Sequence, residues 1–98
     1  MITSKQRAFL RSKANDLDAI FQVGKGGVND NLIGQLNDVL EVRELIKIKV
    51  LESSMLTARE ASDIICEATG AEPIQCIGTK LVIYKPSTKE PKIILHKA

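Results

Sequence analysis

Between residues 19 and 40 the chain changes its hydrophobic period. Ala19-Ile20-Phe21-Gln22-Val23 is a short, mostly apolar run. Gly24-Lys25-Gly26-Gly27 follows, and beyond Asn29 the apolar residues Leu32, Ile33, Leu36, Val39 and Leu40 recur at helical spacing. That order is strand, glycine loop, helix. It commits the chain to an α/β arrangement in which helices pack on a sheet.

The loop has a chemistry of its own. Glycines let the backbone bend tightly and leave no side chain in the way of an approaching group. The helix behind it offers unpaired N–H groups and the positive end of its dipole. Such a loop can hold a phosphate, and Lys25 adds a mobile positive charge. The GxxG spacing is the one that KH modules use to clamp nucleotide backbone. A tight strand-to-helix connection with no ligand is the plainer alternative.

The remaining elements follow from local patterns. Residues 4–14 read as a helix capped by Thr3 or Ser4, with Arg7 and Arg11 four apart on one face. Residues 30–41 form the second helix, capped by Asn29, with Val28 and Ile33 placed for a hydrophobic staple. Gly34 inside it invites a close approach to another element. From Glu44 to Val50 the pattern alternates: Ile46, Ile48 and Val50 face one way, Leu45, Lys47 and Lys49 the other. Thr57-Ala58-Arg59-Glu60 is a capping box, and its helix runs to Ala68 or Thr69 before Gly70. Strands at Ile74–Ile77 and Lys80–Lys85 meet at Gly78-Thr79, a pair suited to a type II′ turn. Lys92–Leu95 is a possible short extra strand, confined to an edge by Pro91. The expected fold is a compact two-layer α/β domain in the order α-β-α-β-α-β-β with a mixed sheet. A single domain over residues 1–98 accommodates it.

Charge is distributed unevenly along a chain whose net charge is only +2. Residues 1–13 and 73–98 each carry about +4, and residues 14–72 about −6. If the two ends meet in the fold they make a basic face, the footprint of a polyanion partner; two solvated charged edges are the alternative. Aromatic residues make up 3% of the chain (Phe9, Phe21 and Tyr84), few for a protein that stacks bases on rings. A nucleic-acid partner would then be held by its backbone and shape. Tyr84 reads as a strand residue with its hydroxyl at the rim. Cys66 and Cys76 form no metal-binding or disulfide pattern and read as buried, reduced thiols; His96 is the lone histidine. No run reaches transmembrane length and the N-terminus has no apolar signal core, so a cytoplasmic protein is expected.

Five segments in order carry a family resemblance: Lys5-Gln6-Arg7, Val23-Gly24-Lys25-Gly26-Gly27-Val28, Glu44-Leu45-Ile46-Lys47-Ile48-Lys49, Ala68-Thr69-Gly70-Ala71 and Ile77-Gly78-Thr79-Lys80-Leu81-Val82-Ile83-Tyr84-Lys85-Pro86. With them the chain resembles the CRM domain family (chloroplast RNA splicing and ribosome maturation), in particular its stand-alone bacterial YhbY-like members. The resemblance implies a four-stranded mixed sheet similar to the C-terminal domain of translation initiation factor three. It also implies RNA binding, with association with precursors of the large ribosomal subunit. The family's GxxG loop falls on Gly24, Lys25, Gly26 and Gly27, and its basic strand on Lys47 and Lys49. The chain departs from relatives at Asn15 (often histidine), at Asp18-Ala19 (often lysine-proline) and at Lys85 (often arginine), which lowers positive charge around residues 15–19.

The expected function is therefore an RNA-binding module of ribosome assembly. Phosphate would rest on the amides of Gly26 and Gly27 and pair with Lys25. Lys5, Arg7, Arg11, Lys47, Lys49, Lys80 and Lys85 are candidates for neighbouring phosphates. A protein-interaction module is the alternative: Asp30, Asp38, Glu41, Glu44, Glu60, Asp63 and Glu67 would meet a basic ribosomal protein. Nothing in the pattern makes a clustered catalytic set or a Walker motif, so neither an enzyme nor a cofactor or metal is expected. A monomer is the default, with oligomeric state left open.

Overall fold

The computed structural model describes residues 3–86. In chain order the elements are α1 (Ser4–Ala14), β1 (Ala19–Val23), α2 (Asp30–Arg43), β2 (Leu45–Val50), a 3-10 turn (Glu52–Ser54), α3 (Ala58–Thr69), β3 (Glu72–Ile77) and β4 (Lys80–Tyr84). The possible strand at Lys92–Leu95 lies outside the described residues.

Local chemistry accounts for most boundaries. Thr3 accepts from the Gln6 amide while the Gln6 side chain accepts from the Thr3 amide, a capping box that starts α1. Asn29 caps α2 through the Leu32 amide at 2.9 Å. Thr57 and Glu60 make the reciprocal pair at the start of α3. Gly70 ends α3 in the left-handed region at φ 78°. Gly78 has φ 58° and Thr79 is not among the positive-φ residues, which is what a type II′ turn requires.

The sheet order is β1-β2-β4-β3. β1 pairs parallel with β2, and β4 runs antiparallel to both β2 and β3. Strands β1, β2 and β3 therefore share one direction, as helical crossovers through α2 and α3 require. Their carboxyl ends, and the loops leaving them, gather at one rim of the sheet. β3 is an edge strand, which explains why it tolerates Pro73.

The pleat sorts the core onto two faces. On one, Ile46, Ile48, Val50, Leu81, Ile83 and Val23 pack against Leu36 and Leu40 of α2 and Ala58, Ala61 and Ile65 of α3. On the other, Leu10 and Ala14 of α1 pack on Leu45, Ile74, Val82 and Tyr84. The two expected layers are the sheet and the α2/α3 pair; α1 adds a partial third layer behind them.

Three expectations about single residues are corrected. Tyr84 is not at a rim but 3% exposed beneath α1. Cys76 is exposed on the edge strand, its thiol 4.0 Å from the Ala58 carbonyl at the start of α3, and Cys66 is half-buried against the core, both as free thiols. Gly34 makes no close approach: a Cβ there would meet nothing within 4 Å.

Gly34→Ala should therefore stabilise the protein by about 1 kcal/mol, since only the helical cost of glycine is removed. Thermal unfolding reads this as a rise of about 5 °C; an unchanged midpoint would contradict it. Burial, and secondarily the Glu44 carboxylate, push the Tyr84 phenol above its ordinary value near 10. The folded state thus holds this proton more tightly than the unfolded chain. Stability is intact below about pH 10 and should fall as pH rises beyond it. Denaturant melts across that range should show the alkaline loss in the wild type and a flatter limb in Tyr84→Phe.

Candidate nucleic-acid interface

At the carboxyl end of β1 the chain turns sharply. The Gly27 amide donates to the Gly24 carbonyl at 2.9 Å, and Gly26 sits at φ 97°. This is a type II turn, with Lys25 and Gly26 at its centre and the positive φ that calls for glycine. The Gly27 amide is thus engaged in closing the turn, which corrects the expectation that it faces a phosphate. The amides of Lys25 and Gly26 have no acceptor among the described residues. Lys25 and Gly26 are both exposed.

The second loop of the rim supports the first. The Leu51 amide donates to the Val23 carbonyl at 2.8 Å. Added Cβ atoms at Gly24 and Gly27 would come to ordinary van der Waals contact with Leu51 and Leu56. Within this loop, Ser54 accepts from the Leu56 amide and donates to the Leu51 carbonyl. Met55 is held at φ 62° and is 89% exposed. The third loop, Gly78-Thr79, joins the rim where the Thr79 carbonyl accepts from the Val50 amide at 2.6 Å. Leu51, Glu52, Leu56, Thr57, Gly78 and Thr79 line an open depression of about 210 Å³ between these two loops. Glu52 makes that depression a poor place for an anion.

The better place is the sheet face that α1 leaves uncovered. Gln22 pairs with Lys49, Lys49 with Lys80, and Lys80 with Ile77, so one row of side chains crosses all four strands. Lys47 lies two residues along β2 on the same face, paired with Val82. Lys49 and Lys80 are like charges directly opposite each other, an arrangement that destabilises a sheet. No ion pair among the described residues reaches Lys47, Lys49 or Lys80. A concentration of positive charge with no internal partner is what an external anion would relieve.

The other expected cations are distributed differently. Lys5 and Arg11 are exposed on α1, on the same side of the sheet as the lysine row. Arg7 is not free: its guanidinium donates to the Pro73 carbonyl and lies 3.8 Å from the Glu72 carboxylate, tying α1 to the edge strand. Lys85 stands at the opposite end of the sheet from Gly24–Gly27, with its amide on the Glu44 carbonyl at 2.9 Å. The structure brings Lys25, Lys47, Lys49 and Lys80 toward one rim and leaves Lys85 away from it.

The acidic alternative loses a member. Glu44 is fully buried, at φ 64°, with its amide capping α2 on Leu40, and so offers no surface to a partner. Glu60 is engaged in its capping box. Asp30, Asp38, Asp63 and Glu67 are exposed on α2 and α3.

Fold and rim together define a small α/β domain with a basic, half-open sheet face. The chain belongs to the CRS1 / YhbY (CRM) domain family, whose profile matches residues 2–85. Over 95 residues it is 45% identical to "Probable RNA-binding protein YqeI" of Bacillus subtilis (strain 168), a match covering 97% of this chain and 99% of that protein. It is 33% identical over 96 residues to an "RNA-binding protein" of Haemophilus influenzae, covering 98% and 96%. The solution structure of a Staphylococcus aureus protein matches at TM-score 0.77 and 43% identity, covering 98% of this chain and all of that one.

The opposed lysines give a test that needs no ligand. Lys80→Glu turns the repulsion with Lys49 into an attraction and should stabilise the free protein by about 0.5 kcal/mol. A melting point that stays level or drops in this variant would show that the two ammonium groups do not crowd each other.

Proposed function

We propose that this protein binds RNA, and that it does so as a single domain working on precursors of the large ribosomal subunit in the cytoplasm. The observation that carries the reading is the unneutralised row of Lys49 and Lys80, with Lys47 beside it, on the open half of the sheet. Family membership and the names of the relatives support RNA as the polyanion. Phosphates lie along these lysines and reach the turn, where Lys25 and the Gly26 amide meet the next one. Lys5 and Arg11 extend the positive field along α1. The role is one of holding and positioning RNA, with no chemistry performed on it. The assembly role rests on the resemblance of the five segments to YhbY-like proteins.

Salt titration of RNA binding tests this site. Each single-strand phosphate contact contributes about 0.7 to the slope of log K against log salt. Lys49→Ala, Lys80→Ala and Lys25→Ala should each weaken binding and flatten the slope by about that amount. Gly26→Asp should weaken it further, because it sets a carboxylate where phosphate rests. Wild-type affinity in all four folded variants would remove the site. Co-sedimentation of the wild type, but not of these variants, with large-subunit precursors checks the assembly role.

A further inference from the structure

We infer that the RNA segment this face takes is unpaired, with bases lying on aliphatic side chains that flank the lysines. The inference rests on the RNA-binding reading and names its substrate class.

Scattered exposed aliphatics are ordinary on a protein surface; what sets these apart is their place, two set by the strand register and one by the loop at the rim. Ile77 is 64% exposed and is the next residue to Lys80 in the row that crosses the sheet. Ile20, 42% exposed, lies at the irregularity in the β1–β2 pairing, two residues before Gln22. Met55 is almost wholly exposed on the loop whose Leu51 and Leu56 pack beside the glycine turn. It is fixed there in the left-handed region, which an unbranched L side chain rarely adopts. Strained backbone and a fully wetted apolar side chain at one residue are a combination found at ligand-contacting positions.

Four strands at about 4.8 Å spacing make the row about 14 Å wide, room for a few nucleotides. Along it a chain of phosphates meets Lys49 and Lys80, and the groups between phosphates meet Gln22 and Ile77, with Met55 at the rim beyond the end of β2 for a nucleotide that reaches the glycine turn. A duplex stacks its base faces inside and offers such a surface sugars, phosphates and groove-side base edges, none of them an apolar face. Splayed bases offer apolar faces to the isoleucine and methionine and polar edges to the glutamine. The scarcity of aromatic rings therefore does not restrict the protein to backbone contacts: aliphatic groups occupy the positions next to the cations.

Three probes of equal phosphate count separate the possibilities: an unstructured RNA strand of mixed sequence, a perfect duplex and an abasic strand. The wild type should bind the unstructured strand most tightly. The double variant Ile77→Thr/Met55→Asn keeps β-branching in β3 and suits the left-handed position, so it should fold. It should lose about five-fold or more for the unstructured strand and nothing for the abasic one, while Met55→Leu should retain wild-type preference. Equal wild-type affinity for all three probes overturns the inference, as does a folded double variant that binds the unstructured strand like the wild type. If Lys49→Ala still weakens binding in that case, RNA binding by the lysine row stands and only the base contacts fail. If Lys49→Ala, Lys80→Ala and Lys25→Ala change nothing either, the RNA-binding site itself is wrong.

Discussion

Strand β2 is the element on which the rest of the molecule depends. It lies inside the sheet, between β1 and β4, and its side chains must alternate between two faces. Ile46, Ile48 and Val50 seal the core beneath α2 and α3. The pleat then forces Leu45, Lys47 and Lys49 onto the other face. Only part of that face is covered. α1 has 11 residues, roughly 16 Å of helix, and it lies over Leu45, Val82 and Tyr84 at the end where β2 begins. Lys49 falls at the uncovered end and Lys47, level with the covered Val82, at the border, so the length and placement of α1 decide which residues of β2 are core and which are surface.

The same alternation produces a conflict that the fold leaves standing. Filling the core on one face with Leu81 and Ile83 puts Lys80 on the face of Lys49, and the antiparallel register sets the two ammonium groups opposite each other. A carboxylate at either position would remove the repulsion without touching the core. The glycine turn shows a related tension. Gly26 takes a φ that other residues avoid, although a Cβ there would meet no neighbour. The demand is on the backbone alone, and the turn it makes leaves the Lys25 and Gly26 amides with no acceptor among the described residues. Both features are costly to an isolated protein and useful to one that receives an anion at that rim.

Much of the fold is legible in the sequence because its signals are local. Asn29, the Thr57–Glu60 pair, Gly70 and the Gly78-Thr79 turn each mark a boundary within a few residues of where it falls. The alternation of residues 45–50 gives both faces of β2. What cannot be read locally is register and tertiary override. Nothing near Lys49 in sequence says that Lys80 lies across from it. Nothing near Arg7 announces the Pro73 carbonyl that engages it. Glu44 and Met55 occupy positive φ where a glycine would be the ordinary choice. Glu44 is fixed between the last turn of α2 and the Lys85 amide, and Met55 closes the 3-10 turn on the Glu52 carbonyl. The glycine loop is legible as a motif, but that its Gly27 amide is consumed by its own turn depends on the path the backbone takes through Gly26.

Parallel strands tie these observations together. Helical crossovers after β1 and β2 return the chain to the same starting edge, so the loops that leave β1, β2 and β3 are collected at one rim. Open α/β sheets place ligands beyond the carboxyl ends of their strands for this reason. Among the described residues, that rim receives every left-handed one outside the α2 and α3 termini: Gly26, Gly27, Met55 and Gly78. The opposite end carries the joints that hold the elements together, with Glu44 between α2 and β2 and Arg7 between α1 and β3. One end of the sheet therefore resists rearrangement, while the other exposes amides, ammonium groups and aliphatic tips on short, well-braced loops. A surface built this way asks little reordering of the protein when a flexible polymer settles on it, so the entropy of ordering falls mainly on the RNA.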